Sequence, residues 1–310
     1  MQMEILQYTP DLQTPLTQFY NRLTSAVPHC YPVKEAELAD AMCNVTGQSD
    51  NTNDGLEAET AFVAIQNGAV QAFIHVGHRW YGNNNEGHEG VVRFFGYERG
   101  ARHAGQTVLE KAEEYLKTYN VTQITAFSSY KYHFYHLRYA FLSITLDHVY
   151  ALLGHNGYSP HYCQVFLDWK NYSVTPIPPR LPVTLSVEWD EGRGQRPNCT
   201  VRAYQEGEKI GICVSVCGGE YSSHPDAQDW VYTEWLSVEE DFQGQGLGKY
   251  LLQYSLQEMH KVGYRHASLN TECCEYLPIL FYSNCGYKVV DWTYDFVKKI
   301  SETQGTSNNP

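Results

Sequence analysis

Positive charge is scarce in this chain of 310 residues: 22 lysines and arginines stand against 35 aspartates and glutamates, a net charge of −13. A nucleic-acid-binding surface needs a basic stripe, so that partner class is excluded. The balance suits a cationic or amine-bearing substrate, and equally plain solubility. No apolar run reaches the length of a membrane span, so no membrane partner is expected. The start, "MQMEILQYTPDLQTPL", has neither a basic patch nor an apolar segment, and a cytoplasmic protein without a signal peptide is the expectation. No CxxC pair occurs among the nine cysteines, which read as reduced thiols buried as small apolar residues; Cys273 and Cys274 are neighbours but form no site by themselves. Without an export signal the sequons at Asn44 and Asn120 carry no weight. His133 and His136 lack a third partner, so no metal is expected. A G-x-S-x-G elbow is also missing, which removes one route to a covalent intermediate.

What is present is enough apolar material, 43% of residues, for one large or two ordinary domains, each with its own core. "NYSVTPIPPRLP", Asn171 to Pro182, holds four prolines and reads as an extended linker, and "SETQGTSNNP" as a disordered tail. The domain reading is 1–172, a linker at 173–182, a second domain at 183–300 and a tail at 301–310.

The halves repeat one order of elements. After two opening helices, "TAFVAIQNGAVQAFIHVGH" alternates as a hairpin turning at Asn67-Gly68. A strand, the helix "GQTVLEKAEEYLKTYN", a strand, a short helix and a last strand follow. In the second half "TVRAYQEGEKIGICVSVCG" turns at Glu206-Gly207, and "DWVYTEWLSVEE", "GKYLLQYSLQEMHKVG", "RHASLNTE", "YLPILFYSNCGY" and "KVVDWTYDFVKK" restate the series without the opening helices. Gly105 aligns with Gly248 and "HNGY" with "SNCGY".

"DFQGQGLGKYLLQ" joins a strand to a helix through a glycine-rich turn. Free N–H groups and the helix dipole favour an anion there, and glycines let backbone approach a phosphate. The spacing Gly244, Gly246, Gly248 fits neither the P-loop nor the Rossmann pattern.

Gln243, Gly246 and Gly248 do fill Q-x-x-G-x-G, and Tyr282, Gly286 and Tyr287 give a Tyr-x-x-x-Gly-aromatic signature. With the strand ending at Val238, this set resembles the acetyl-CoA motif of the GCN5-related N-acetyltransferase (GNAT) superfamily. The resemblance implies an α+β fold: two tandem GNAT-like domains, each a mixed, mostly antiparallel twisted sheet flanked by helices. It further implies that the strand before the loop splays from its neighbour, and that pantetheine inserts between them. Backbone of Leu236, Ser237 and Val238 would pair with pantetheine, and amides of Gln243, Gly244, Gln245, Gly246, Leu247, Gly248 and Lys249 with the pyrophosphate. Tyr282 would protonate the leaving thiolate. Glu234, four residues before Val238 and so on its face, is the candidate general base. The family often places an Asn, contacting CoA, where Glu275 stands, and a small residue where Pro278 stands, which sets the local contacts apart.

The resemblance therefore points to an acetyl-CoA-dependent N-acetyltransferase. Its acceptor would be the primary amine of a small molecule or peptide, attacking directly in a ternary complex. The rival reading is a non-catalytic CoA-binding scaffold, and a homodimer is an open arrangement. The first half resembles a degenerate copy: Gly100, His103 and Leu153 stand where Gln243, Gly246 and Tyr282 do, while Arg99 and Arg102 retain charge for phosphates. Its interval from Gly105 to Gly157 is 14 residues longer than that from Gly248 to Gly286, and the added Tyr-, Phe- and His-rich stretch is expected at an inter-domain or dimer contact.

Overall fold

A computed structural model describes residues 3–42, 55–81, 87–128, 132, 134–137 and 141–300. The expected tail, the sequon at Asn44 and His133 lie outside the described residues.

The strands are β1 (Glu4–Gln7), β2 (Glu57–Gln66), β3 (Ala69–Tyr81), β4 (Gly87–Tyr97), β5 (Gln123–Ala126), β6 (Leu142–Ser143), β7 (Ser159–Trp169), β8 (Thr184–Asp190), β9 (Asn198–Gln205), β10 (Glu208–Cys217), β11 (Trp230–Val238), β12 (His266–Glu272) and β13 (Lys288–Lys299). The helices are α1 (Gln13–Leu23), α2 (Glu35–Ala41), α3 (Arg102–Lys117), α4 (Asp147–His155), α5 (Leu247–Lys261) and α6 (Tyr276–Cys285). Both hairpin turns fall where the sequence places them. Asn67 and Gly68, and Glu206 and Gly207, all have positive φ, as a two-residue turn matched to strand twist requires.

The chain divides into two compact units, Met1–Tyr162 with Thr293–Pro310, and Cys163–Trp292. These bounds differ from the sequence reading because strand pairing, not chain proximity, allocates β7 and β13. Val165 to Leu167 of β7 pair antiparallel with Leu269 to Thr271 of β12, inside the second unit. Phe296 to Lys299 of β13 pair with Gln123 to Ala126 of β5, and Thr293 and Tyr294 with β6, inside the first. Phe296 is buried there, and Lys298 Nζ lies 2.6 Å from a Glu113 carboxylate oxygen.

In the first unit, β1 to β4 run as an antiparallel meander, and β5 adds parallel to β4. Amphipathic α3 presents Ala104, Val108, Leu109, Ala112 and Leu116 to the core. For three side chains of the aromatic stretch the expected contact role is corrected. Tyr132, Phe134 and Tyr135 are core side chains of this unit: Tyr132 is stacked on Phe94 at 5.4 Å, Tyr135 is edge-on to it at 5.6 Å, and Phe134 is edge-on to Tyr20 at 5.7 Å. Burial of this much aromatic surface outweighs any surface role.

Arg93 is fully buried in the same core. Register slips between His75 and Val76 on β3, leaving Arg93 as the extra residue of a bulge in β4. Its guanidinium grips Glu59 at 2.9 and 3.3 Å, and His75 Nε2 approaches the same carboxylate at 2.9 Å. Removing one partner strands a buried charge. R93M is therefore expected to cost about 3–5 kcal/mol in a denaturant titration, whereas R93M with E59Q recovers most of it.

The second unit repeats the plan in β8–β9–β10–β11–β12 order, with β12 parallel to β11 and α5 packed on β9 to β11. Cys163 and Cys273 continue the β7–β12 ladder and are joined as a disulfide, with Cα atoms 5.5 Å apart. This corrects the expectation of uniformly reduced thiols. The proline-rich segment is not a free spacer. Tyr172 is buried, donating its hydroxyl to Leu256 O at 2.9 Å, and Leu181 is buried at the far end.

Candidate active site

The parallel pair β11/β12 holds register only over Trp230–His266, Val231–Ala267 and Tyr232–Ser268. Beyond Tyr232, β11 stays with β10 as far as Val238, while β12 stays with β7. The two strands part, so the β12-facing backbone of Leu236 to Val238 has no ladder partner. A strand edge released from its ladder is suited to a ligand that carries amides of its own.

At the wide end, Glu239 to Gln243 make a short turn, and Gln243 Nε2 donates back to Val238 O at 2.9 Å, folding the loop onto the strand. Gly244 and Gly246 have φ of +73° and +89°, a left-handed backbone that disfavours a side chain. Gly246 caps α5 with no side-chain acceptor, so the first N–H groups of the helix point outward unsatisfied. No acidic residue occupies the first turn; Lys249 stands there instead, where the helix dipole disfavours a cation unless an anion is bound.

One cavity of about 800 Å³ collects these parts. Leu236, Ser237, Val238, Gln243, Gly244, Gly246, Leu247, Gly248 and Lys249 line one side, with Tyr282 opposite on α6. Phe242, Leu277, Phe281, Asn284 and Cys285 also line it, and sequence reasoning did not include them; Pro278, noted there only as a departure from the family pattern, lines it too. The one available signal was helical spacing: 277, 278, 281, 284 and 285 share the α6 stripe that leads to Tyr282. Gly286 ends α6 at φ +119°, with the Trp169 indole 2.8 Å from where a Cβ would sit. That contact fixes why the Tyr-x-x-x-Gly spacing needs a glycine.

Burial pushes the Tyr282 phenol above its ordinary value of 10, with Cys213 and Cys285 adding to the shift. Burial also raises the Cys285 thiol, against the pull of Lys249. The ring packs edge-on to Phe281 and Tyr287 at 5.0 and 5.8 Å, which fixes its orientation.

Three expected residues are not among those lining the cavity. Gln245 is exposed and turns its amide to Asp241 O at 3.3 Å. Glu275 is exposed at the start of α6. Glu234 is half-buried, and the face argument for it is corrected. Val214 pairs with Trp235 and Ser215 with Thr233, which leaves Glu234 as the extra residue of a bulge. The bulge breaks the alternation, so a four-residue spacing no longer puts Glu234 on the face of Val238.

The matching place in the first unit is closed. Pairing of β4 with β5 likewise stops at Val92–Ala126, but Tyr97 donates its hydroxyl to His148 O of α4 at 2.8 Å, and His148 Nε2 meets Tyr97 O at 2.8 Å. Leu153, the counterpart of Tyr282, is fully buried, and Arg99 is tied to Asp147 at 2.6 Å. Among the described residues no group of three or more His, Cys, Asp or Glu is placed to hold a metal, and no helix is long and apolar enough to cross a membrane.

Two mixed sheets, each with a parallel pair that opens beside a helix start, define the tandem form of the acetyltransferase fold met above as a resemblance. The family model "Acetyltransferase (GNAT) domain" matches residues 196–289, within the second unit. Similar solved structures include a tandem GNAT protein from the clavulanic acid biosynthesis pathway, with TM-score 0.66, 11% identity, 97% of this chain and 100% of that one covered. A GCN5-related N-acetyltransferase from Sphaerobacter thermophilus has TM-score 0.59 and 12% identity, over 97% and 96% of the chains. A GCN5-related glucosamine N-acetyltransferase region of a fungal multi-domain GH3 β-N-acetylglucosaminidase has TM-score 0.63 and 11% identity; the match takes in 96% of this chain and 38% of that one. Identities this low speak for the fold alone. No curated protein matches the sequence.

Proposed function

We propose that the protein is an acetyl-CoA-dependent N-acetyltransferase working through its second unit, with a small-molecule or peptide primary amine as acceptor. The observation that carries this is the single cavity joining the parted strand, the glycine-rich helix start and Tyr282. The residues present fit the coenzyme: outward N–H groups of Gly246 to Lys249 suit the pyrophosphate, and the β11 edge at Leu236 to Val238, which has no ladder partner on the β12 side, suits the pantetheine amides. When bound, acetyl-CoA supplies an activated acyl group as a thioester.

The chain's own groups then have separate tasks. A backbone N–H on the free edge of β11 polarises the acyl carbonyl. Tyr282, kept protonated by burial, donates a hydrogen bond to the sulfur as negative charge develops there. Its raised value makes it a charge stabiliser that need not ionise. Glu234 is the candidate to take the amine proton, directly or through water, from its place in the bulge. The proposal assigns the closed first unit no coenzyme.

The test is acetyl-CoA-dependent release of free thiol across a panel of amines, with thermal shift by acetyl-CoA measured alongside. Turnover with one amine and its loss in E234Q are the expected results. A clear thermal shift with no turnover across a wide panel would favour a non-catalytic CoA-binding protein, and absence of both would end the coenzyme reading.

A further inference from the structure

We propose that Arg180 binds a phosphate of the acetyl donor, making the proline-rich segment a further wall of the donor site; this rests on the acetyl-CoA reading above. Nothing in the glycine motif or in α6 points to this residue. It comes from how the segment is laid down within the second unit.

Tyr172 and Leu181 are buried and anchor the segment at both ends. Between them it crosses the glycine loop. Arg180 N–H points to Gln245 O at 3.4 Å, and Pro179 Cα lies 3.9 Å from where a methyl on Gly246 would stand. Pro176, Pro178, Pro179 and Pro182 fix φ along the way, so the path is held without helix or strand. The backbone of Arg180 is thereby kept beside Gln245 and Gly246, where the first N–H groups of α5 open outward.

The charge arrangement gives this placement a purpose. The protein is strongly acidic, and Glu239, Glu240 and Asp241 are exposed immediately before the loop. A ligand bearing several phosphates meets repulsion there unless cations are close. Among the described residues, Lys249 is the sole cation lining the cavity. Arg180 is exposed, and its guanidinium forms no ion pair among the described residues. A planar fork of donors matches phosphate oxygens in pairs, which a lysine does not reproduce.

The experiment is calorimetric titration of the full chain with acetyl-CoA and with acetyl-3′-dephospho-CoA, at low and high salt, for wild type, R180A and R180K. R180A is expected to weaken acetyl-CoA binding about tenfold, with R180K intermediate and a shallower salt dependence in R180A. The thermal midpoint without ligand should stay unchanged, because the side chain is exposed. If the loss disappears with the dephospho compound, the contact is to the 3′-phosphate; if it persists, to the pyrophosphate, and either supports the proposal. R180A binding within about twofold of wild type would overturn it while leaving the donor reading intact. Failure of wild type to bind either compound would instead remove the donor reading, and the proposal with it.

Discussion

Gly246→Ala is expected to weaken acetyl-CoA binding about a hundredfold while leaving the protein folded. Gly246 holds φ at +89° and opens α5. An alanine there costs about 1–2 kcal/mol in place, and the loop relieves that strain by turning. Turning re-aims the first N–H groups of the helix, and phosphate recognition depends on their direction. The comparison that isolates this effect is Gly207→Ala. Gly207 has nearly the same φ, +88°, with nothing within 4 Å of an added methyl, and it sits in the β9–β10 turn away from the cavity lining. Both variants should lose similar stability in a denaturant titration. Gly246→Ala alone should lose binding, by about a hundredfold. Equal binding in the two variants would show that the loop does not hold the phosphates.

Tyr282→Phe is expected to lower kcat by about 10²-fold with little change in KM for acetyl-CoA. The phenol's ring contacts survive the change, so the cavity keeps its shape; only the donor to sulfur is lost. The pH dependence gives a second reading. Burial raises the phenol above 10, so the neutral donor is fully present below that value and is lost only as pH rises past it. The rate loss should therefore be constant between about pH 7 and 9. A wild-type rate that falls in that interval while the variant's does not would assign Tyr282 a different role.

The parts of this site that depend on local spacing were legible in the sequence. Gln243, Gly246 and Gly248 mark a turn that few other geometries need, and Gly286 marks a helix end pressed on Trp169. The hairpin turns at Asn67-Gly68 and Glu206-Gly207 were legible for the same reason: positive φ in two successive residues has a narrow sequence signature. Features set by long-range pairing were not. Nothing local in "KVVDWTYDFVKK" says that its second part pairs with β5 rather than with β12. The bulge at Glu234 carries no glycine or proline, so simple alternation was the natural reading and it failed there. Tyr132 and Tyr135 show a further limit: an aromatic-rich insertion has the same composition whether it plugs a core or meets a partner. The course of the proline segment over the glycine loop was hidden because prolines report stiffness and not direction.

The allocation of β13 has a consequence for how the protein comes into being. Residues 293–299 complete the sheet of the first unit, yet a ribosome makes them only after the 130 residues from Cys163 to Trp292. Until then β5 presents a bare edge, with Lys298 absent from Glu113 and Phe296 absent from the core. The amino-terminal half thus cannot finish ahead of its neighbour, as domains made in sequence usually do. Birth order and folding order are uncoupled in this chain, and the interval between them is when it most needs protection from other copies of itself.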